Sequence, residues 1–171
     1  VAAGLIGDAS KLWWDLRPSA RFPTLEMRIT DVCTRLDDAL ALAALTRCLL
    51  RMLWRLRRDN QRWRVYKRML LDENRWRAQR YGMGAGLVDF GRGSVVPFGE
   101  LLDELRALIA EDAAHFGCEA EIDHLATIHA RGTSAERQLA VLAAALDGGV
   151  DRAAALRAVV DDLIAQTLAT G

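Results

Sequence analysis

The sequence predicts an α+β protein in which a few short strands precede five or six helices. Residues 13–31 read as extended chain, since Pro18 disfavours a helical conformation at Arg17. Apolar residues recur at i+3 and i+4 spacing over residues 36–58, which is typical of an amphipathic helix. Residues 85–98 read as two short strands joined by a glycine turn, and the sequence after them predicts a C-terminal helical bundle.

The extended segment ends in a strand that carries a carboxylate and a guanidinium two residues apart. Residues i and i+2 of a strand point to the same face, so we expect Glu26 and Arg28 to lie side by side. A face with one acid and one arginine is costly to bury unless the charges have partners. A divalent metal ion on Glu26 and a phosphate on Arg28 would supply those partners. The alternative is a cross-strand salt bridge on a solvated face, and only Asp15 and Asp31 stand nearby as further acidic ligands.

The opposite face of the same strand is apolar and is expected to point toward a core; it carries Leu25, Met27 and Ile29. Two further arginines flank Pro18. An arginine in a rigid turn can hold a carboxylate or a phosphate through two hydrogen bonds, so Arg17 and Arg21 are candidates for substrate binding. Alternatively, these arginines stack on the neighbouring tryptophans at the protein surface.

Two helices and a hairpin are predicted to follow. Thr34 is a candidate N-cap of the first helix, and Asp31 is a rival candidate. The second helix is predicted over residues 62–80, and the glycine-rich stretch that begins at Gly82 ends it. This Gly-x-Gly-x-Gly run follows a helix rather than a strand, so it predicts a loop and not a nucleotide-binding turn.

The last part of the sequence predicts four helices, at about residues 99–116, 119–130, 134–147 and 151–169. Thr133 or Ser134 can cap the third of these helices, and Asp151 can cap the fourth. The histidines fit no metal-binding spacing and favour structural roles; they are His115, His124 and His129.

The composition is that of an ordinary globular protein, but its charge is unevenly distributed. The 171 residues are enough for about one domain with a substantial core. The net charge is zero, which gives no general argument for binding nucleic acid or a membrane. Residues 1–80 carry 17 Lys and Arg against 9 Asp and Glu, whereas residues 81–171 carry 6 against 14. This polarity either docks the two halves on each other or presents a basic face to an anionic substrate.

The three cysteines are scattered and include no C-x-x-C pair; they are Cys33, Cys48 and Cys118. This usage predicts a reducing compartment and small core side chains rather than a disulfide framework. Neither a signal peptide nor an apolar run long enough to cross a bilayer is visible, so a cytoplasmic location is predicted. The chain begins at Val1 inside ordinary folded sequence, which indicates a fragment of a longer protein.

Basic and aromatic residues alternate over residues 51–80. Such a pattern is compatible with RNA or single-stranded DNA, but no recognised nucleic-acid module accompanies it. An amphipathic helix with a solvated basic face is therefore the favoured interpretation. The alternative function for the chain is a non-catalytic helical module that docks an acidic partner or RNA. That alternative requires the basic residues to form one continuous exposed helical stripe and predicts salt-dependent binding.

Three stretches carry a resemblance to a known enzyme family. The first pairs Trp14-Asp15-Leu16-Arg17-Pro18-Ser19 with Thr24-Leu25-Glu26-Met27-Arg28; the second is Asn74-Arg75-Trp76-x-Ala78-x-Arg80-Tyr81-Gly82; the third is Arg131-Gly132-Thr133. With these stretches the sequence resembles the C-terminal half of bacterial carboxylate–amine ligases of the glutamate–cysteine ligase type 2 group. The resemblance runs over essentially the whole chain, and its first two stretches are the specific ones.

The resemblance implies a glutamine-synthetase-like fold, with a curved antiparallel sheet whose concave face is the active site and with helices behind it. Such enzymes use ATP to phosphorylate a carboxylate, and an amine then attacks the acyl phosphate to form an amide, with Mg²⁺ bridging the phosphates. By resemblance, Glu26 is a metal ligand and Arg28 is the catalytic residue that contacts the transferring phosphate. Arg17, Asn74 and Arg80 match family positions and are the candidate substrate-binding residues.

The resemblance also implies that residues 1–171 are the C-terminal portion of one catalytic domain. Residues 1–31 would form its active-site strands, residues 32–98 its helices and short hairpin, and residues 99–171 its helical bundle. The family's other acidic ligands and much of its nucleotide site lie in an N-terminal half outside this sequence. We therefore expect the chain alone to be inactive. Its exposed strand edges should pair with that half or with a second copy of the chain, or be covered by other segments. An amino acid and an amine are the expected substrates.

Overall fold

The computed structural model describes residues 3–169 and divides the chain into two compact units, with the boundary between Cys33 and Thr34. The described residues form six α-helices and two separate two-stranded antiparallel sheets, which confirms the α+β class. A curved sheet of the glutamine-synthetase type is not formed by these short strands alone, and it stays a prediction for a longer protein.

The first unit is built around a hairpin of β1 (Leu16–Pro18) and β2 (Leu25–Met27), preceded by a short 3-10 turn at Ala9–Lys11. The two strands are antiparallel, and Arg17 stands directly opposite Glu26. The ladder has three residue pairs, so the strand is shorter than predicted. The expectation of a core beneath its apolar face is wrong for this unit, because Leu25 is 52% exposed and Ile29 is 54% exposed. A two-stranded hairpin offers too little surface to bury such a face.

The second unit begins with α1 (Leu36–Arg58), whose bounds agree with the predicted helix. Its N-cap is Arg35, and no side chain caps the first turn, so the predicted cap at Thr34 is wrong. The hydroxyl of Thr34 instead lies 2.6 Å from that of Ser134, a hydrogen-bond distance across 100 residues of sequence. Three arginines in the last turn place positive charge at the negative end of the helix dipole, as predicted.

Next come α2 (Arg68–Tyr81) and a hairpin of β3 (Leu87–Asp89) and β4 (Ser94–Val96). The hairpin confirms the prediction for residues 85–98, whereas α2 starts six residues later than the predicted helix. The hairpin needs glycine at Gly86, where φ is +67° and an added Cβ would lie 2.2 Å from the carbonyl oxygen of Val96.

Four helices follow at nearly the predicted positions; they are α3 (Phe98–Phe116), α4 (Glu119–Arg131), α5 (Ser134–Asp147) and α6 (Arg152–Leu168). Two of the predicted N-caps are confirmed. Thr133 accepts a hydrogen bond from the backbone N–H of Glu136, and the Glu136 carboxylate accepts one from the backbone N–H of Thr133, which makes a capping box. Asp151 accepts a hydrogen bond from the backbone N–H of Ala154 at 2.8 Å. No helix among residues 3–169 combines the length and the apolar composition needed to span a bilayer.

The main core lies where α1 packs against α3 and α4, while α5 and α6 pack against each other as a helical hairpin. Small residues of α1 allow the close approach; they are Ala41, Ala44 and Cys48. Larger side chains from the other two helices fill the space around them, among them Leu102, Ile109, Ile122 and Leu125. Close packing of this kind makes the core sensitive to a change of even one methylene group.

A carboxylate of α3 lies fully buried in this region. Asp112 accepts hydrogen bonds from Arg55 at 3.0 and 2.8 Å and from Arg51 at 2.5 Å, and both arginines belong to α1. Burial opposes the ionised form of this carboxyl, but the hydrogen bonds from Arg55 and Arg51 outweigh it and hold the pKa of Asp112 below its ordinary value. The charged cluster therefore ties α1 to α3.

We expect Asp112→Asn to lower the free energy of unfolding by about 3 kcal/mol, because Arg51 and Arg55 then lose the negative charge that compensates their own. Since the pKa of Asp112 is lowered by folding, its contribution should be present above the ordinary pKa of a carboxyl and disappear as the pH falls through the lowered value. Urea unfolding followed by helical circular dichroism at several pH values measures both effects. Asp103→Asn is the matched control, since Asp103 is 77% exposed, and should change the free energy by less than about 0.5 kcal/mol.

Candidate functional site

The first unit brings three of the predicted site residues together on one hairpin, and we call Arg17, Glu26 and Arg28 the hairpin triad. The Nε of Arg17 donates to Oε2 of Glu26 at 2.7 Å, and an Nη of Arg28 donates to Oε1 at 3.0 Å. Each carboxylate oxygen therefore accepts from a different guanidinium. The first contact follows from the strand register and the second from the i, i+2 spacing.

Both arginines of the triad are held in place by further contacts. Arg17 also donates to the backbone carbonyl oxygens of Ser10 at 2.5 Å and Leu12 at 3.3 Å, and its side chain is only 15% exposed. The guanidinium of Arg28 lies 5.3 Å from the centre of the Trp13 ring, which is a cation–π distance. Trp13 thus stacks with Arg28, whereas the sequence suggested Arg17 or Arg21 as its partner.

Two cations facing one anion leave the triad with a net positive charge. The hydrogen bond from Arg17 lowers the pKa of Glu26 most strongly, partial desolvation opposes it, and the nearby charges of both arginines add to the lowering. Glu26 is therefore ionised at neutral pH. With Arg28 31% exposed, the triad can present an oriented guanidinium to an anionic group such as a phosphate or a carboxylate.

The same geometry limits what Glu26 can do for a metal ion. Its side chain is 46% exposed and its oxygens suit Mg²⁺, but both oxygens already face a guanidinium. Within residues 3–169, no cluster of three or more His, Cys, Asp or Glu side chains is arranged to hold a metal ion. Mg²⁺ takes octahedral oxygen coordination, and the described residues do not complete such a site by themselves.

The other two predicted site residues lie on α2, in the second unit. The amide of Asn74 is occupied at both ends, because its Nδ2 donates to the carbonyl of Val88 at 2.9 Å and its Oδ1 accepts from the N–H of Val88 at 2.7 Å. Asn74 thus adds its side chain to β3 much as a neighbouring strand would. Arg80 is exposed on the last turn of α2, and the structure gives it no hydrogen bond or ion pair within residues 3–169.

Sequence reasoning did not single out Arg77, which has a definite role in the loop after α2. Its Nε donates to the carbonyl of Gly86 at 3.1 Å and an Nη donates to that of Ala85 at 2.7 Å. The side chain of Arg77, three residues after Asn74, therefore closes the loop that contains the glycine run. The sequence signal was the i, i+3 spacing, which places both residues on one face of the helix.

A cleft of about 350 Å³ opens in the second unit beside the Arg131-Gly132-Thr133 stretch. Its charged lining residues are mostly paired: Asp38 accepts from His124 at 2.9 Å and from Arg131, and Arg137 forms a two-fold ion pair with Asp162. Burial opposes ionisation of Asp38, but the hydrogen bonds from Arg131 and His124 outweigh it and keep its pKa below the ordinary value.

Two stretches that carry the sequence resemblance meet near this cleft. An added Cβ on Gly82 would lie 3.4 Å from Oε1 of Glu136, whose Oε2 accepts from both the hydroxyl and the N–H of Thr133. Gly132 has φ of +89°, and an added Cβ there would lie 3.0 Å from Oε2 of Glu136. The end of α2 and the start of α5 are therefore fitted around one carboxylate.

The basic residues over 51–80 do not form one helical stripe. The chain leaves α1 at Arg58, has no regular structure at residues 61–67 and re-enters a helix at Arg68. Two of the basic residues, Arg51 and Arg55, are used in the buried cluster with Asp112. The continuous surface that a basic interaction module requires is thus interrupted in the second unit.

Comparison with known proteins gives consistent results. A family model described as glutamate-cysteine ligase family 2 matches residues 1–158. The chain is 69% identical over 169 residues to a Rhodospirillum rubrum protein named "Putative glutamate--cysteine ligase 2", covering 99% of this chain and 43% of that protein. A Jannaschia protein of the same name is 56% identical over 160 residues, covering 94% and 42%. The chain thus spans about two fifths of the length of the curated relatives it matches.

We expect Arg17→Ala to raise the pKa of Glu26 toward its ordinary value of 4.5, because the strongest hydrogen bond to the carboxylate is lost. Arg28→Ala should raise it by less. Carboxyl carbon chemical shifts followed through a pH titration report the change directly. Arg21→Ala, in the loop between β1 and β2, is the control and should leave the titration of Glu26 unchanged. Identical titration curves for Glu26 in the three variants would contradict the contacts of the hairpin triad.

Removing the α5 cap should weaken the second unit. Thr133→Ala loses the hydroxyl that accepts from Glu136 and is expected to cost about 1 kcal/mol of unfolding free energy. Thr167→Ala serves as the comparison, since the hydroxyl of Thr167 donates to the carbonyl of Leu163 inside α6, and it should cost less than about 0.5 kcal/mol. Equal losses in the two variants, measured by urea unfolding, would contradict a capping role for Thr133.

Proposed function

Since the chain belongs to glutamate–cysteine ligase family 2, we propose that it is part of an ATP-dependent ligase that joins a carboxylate to an amine. Glutamate is the proposed carboxylate substrate, and cysteine or another small amine is the proposed nucleophile. Family membership supports the ligase class. The observation that carries the proposal in this chain is the hairpin triad, in which one carboxylate holds two guanidinium groups toward a half-exposed face.

The proposed reaction has two steps. A carboxylate oxygen of the first substrate attacks the γ-phosphorus of ATP, so that an acyl phosphate forms and ADP leaves. The amine nitrogen then attacks the acyl carbon, the C–O bond to phosphate breaks, and inorganic phosphate leaves with one oxygen of the original carboxylate. The nitrogen loses a proton as the amide forms. Neither step needs a nucleophilic side chain from the protein.

Phosphoryl transfer depends on position and on neutralisation of charge rather than on covalent catalysis. Arg28 is the group we assign to the transferring phosphate, since its remaining N–H groups are not used by Glu26 and its side chain is partly exposed. Arg17 is more deeply anchored and positions Glu26. A substrate carboxylate is the proposed further ligand of Arg17. Anchoring before the substrate arrives reduces the entropy lost on binding.

ATP and Mg²⁺ are the proposed cofactors, and Mg²⁺ would neutralise charge on the transferring phosphate. Glu26 is the proposed ligand from this chain. Further ligands would come from the remaining length of the protein, because the described residues do not complete a site.

Arg80 is the proposed substrate contact from α2, since it is exposed and adjoins the glycine run. For Asn74, which the sequence resemblance suggests as a substrate-binding residue, we propose a supporting role, because both ends of its amide are bonded to Val88. We further propose that these residues act in the cytoplasm, and that the chain works with the N-terminal part of the relatives' length or as a homo-oligomer.

The proposal is tested by ADP release from a full-length protein that carries these residues, supplied with Mg-ATP, glutamate and a panel of amines. We expect amine-dependent ADP release, a fall of about 10²-fold or more in Arg28→Ala, and a comparable loss in Glu26→Gln. Glu100→Gln, a surface ion-pair partner of Arg92, is the control and should retain full activity.

The outcomes separate three claims. A folded full-length protein that releases no ADP with any amine would overturn the ligase proposal. Normal activity in Arg28→Ala and Glu26→Gln would remove the hairpin triad from the active site while leaving the ligase class standing. Rapid ADP release by residues 1–171 alone would overturn the expectation that this chain cannot close the site.

A further inference from the structure

Two cysteines that the proposed reaction does not use lie side by side in the second unit. Cys48 is on α1 and Cys118 is the residue that precedes α4, 70 positions later in the chain. Their sulfur atoms are 3.6 Å apart. Cys48 is completely buried, whereas Cys118 is partly exposed. Two thiols are thus in contact, and of the two residues only Cys118 is partly exposed, so a small reagent would reach the pair from the side of Cys118.

The position of Cys118 suits a further approach of the two sulfurs. A disulfide bond is about 2.05 Å long, so the sulfurs must close by about 1.5 Å. Cys118 follows Gly117, which has φ of +62° at the turn between α3 and α4. Its sulfur makes one long contact, 3.8 Å, with the carbonyl of Ala113. The movement would therefore fall on the N-cap residue of α4 and on a turn, rather than on the middle of a helix.

We propose that Cys48 and Cys118 are a thiol-oxidation site that forms an intramolecular disulfide by exchange with a low-molecular-weight disulfide. In the first step the thiolate of Cys118 attacks a sulfur of the reagent, and one reagent thiolate leaves. In the second step the sulfur of Cys48 attacks the mixed disulfide at Cys118, and the second reagent thiolate leaves. The two cysteines are oxidised together by two electrons, and the reagent is reduced to two thiols after protonation.

The order of the steps follows from burial. Burial raises the pKa of Cys48 to about 12, and the contact with Cys118 adds to the rise. Since the thiolate is the nucleophile, the buried thiol is a poor first attacker. In the second step it acts on a sulfur already in contact, and such proximity compensates for a small thiolate fraction. Thiol–disulfide exchange should therefore start at Cys118, and the attack by Cys48 should complete it.

The disulfide would join α1 to the start of α4, two of the three helices that form the main core. A cross-link between residues so far apart in sequence stabilises a protein by restricting its unfolded chain. We therefore expect oxidation to raise the Tm of the second unit by several degrees and to leave its helix content unchanged. The effect does not depend on the ligase reaction.

The test is to incubate the 171-residue chain with excess oxidised glutathione under native conditions, to block remaining thiols by alkylation, and to map the peptides by mass spectrometry. We expect a cross-linked peptide pair that contains Cys48 and Cys118, with loss of two alkylatable thiols. Cys118→Ser should give no cross-link. Cys48→Ala should stop at a mixed disulfide on Cys118, and Cys33→Ser should behave as the unmodified chain does.

Each outcome decides the proposal. A stable mixed disulfide at Cys118 with Cys48 still alkylatable would overturn it, as would a cross-link that requires Cys33. If Cys48→Ala fails to fold, as judged by circular dichroism, Cys118→Ser carries the test, because Cys118 is less buried than Cys48. An oxidised chain with unchanged Tm would overturn the claim that the bond stabilises the core.

Discussion

The helical unit depends on one buried charge. Asp112 is fully enclosed, and a carboxylate in that position is tolerable only because two guanidinium groups of α1 satisfy both of its oxygens. The cluster therefore fixes how α1 lies along α3. The remaining contacts of α1 follow from that placement, including the fit of its small residues against α4 and the meeting of Cys48 with Cys118.

A similar arrangement recurs on the hairpin with a different consequence. Glu26 also faces two arginines, but it is half exposed, so the charged groups of the hairpin triad remain available to a ligand. The buried cluster serves packing, whereas the hairpin triad orients a cation toward solvent. This difference in exposure, rather than the residue types, separates a structural ion-pair cluster from a candidate site for an anionic substrate.

Local signals in the sequence were enough to predict the helices, the second hairpin and the caps at Thr133 and Asp151. The start of α2 was missed because Tyr66, counted as a helical residue, packs its ring 4.6 Å from that of Phe90 on the hairpin turn. The pairing of Arg17 with Glu26 required the strand register, which no local pattern gives. Asp112 was missed for the same reason: its spacing from Ile109 places it on the core face, but its partners lie on another helix.

The central claim, amide formation through an acyl phosphate, is tested most directly by isotope transfer. Glutamate labelled with ¹⁸O in its carboxylates would be supplied with Mg-ATP and the accepted amine to the full-length protein. The inorganic phosphate released should then carry one ¹⁸O atom for each amide formed. Unlabelled phosphate, or AMP and pyrophosphate in place of ADP and phosphate, would contradict the proposed reaction and the role assigned to Arg28.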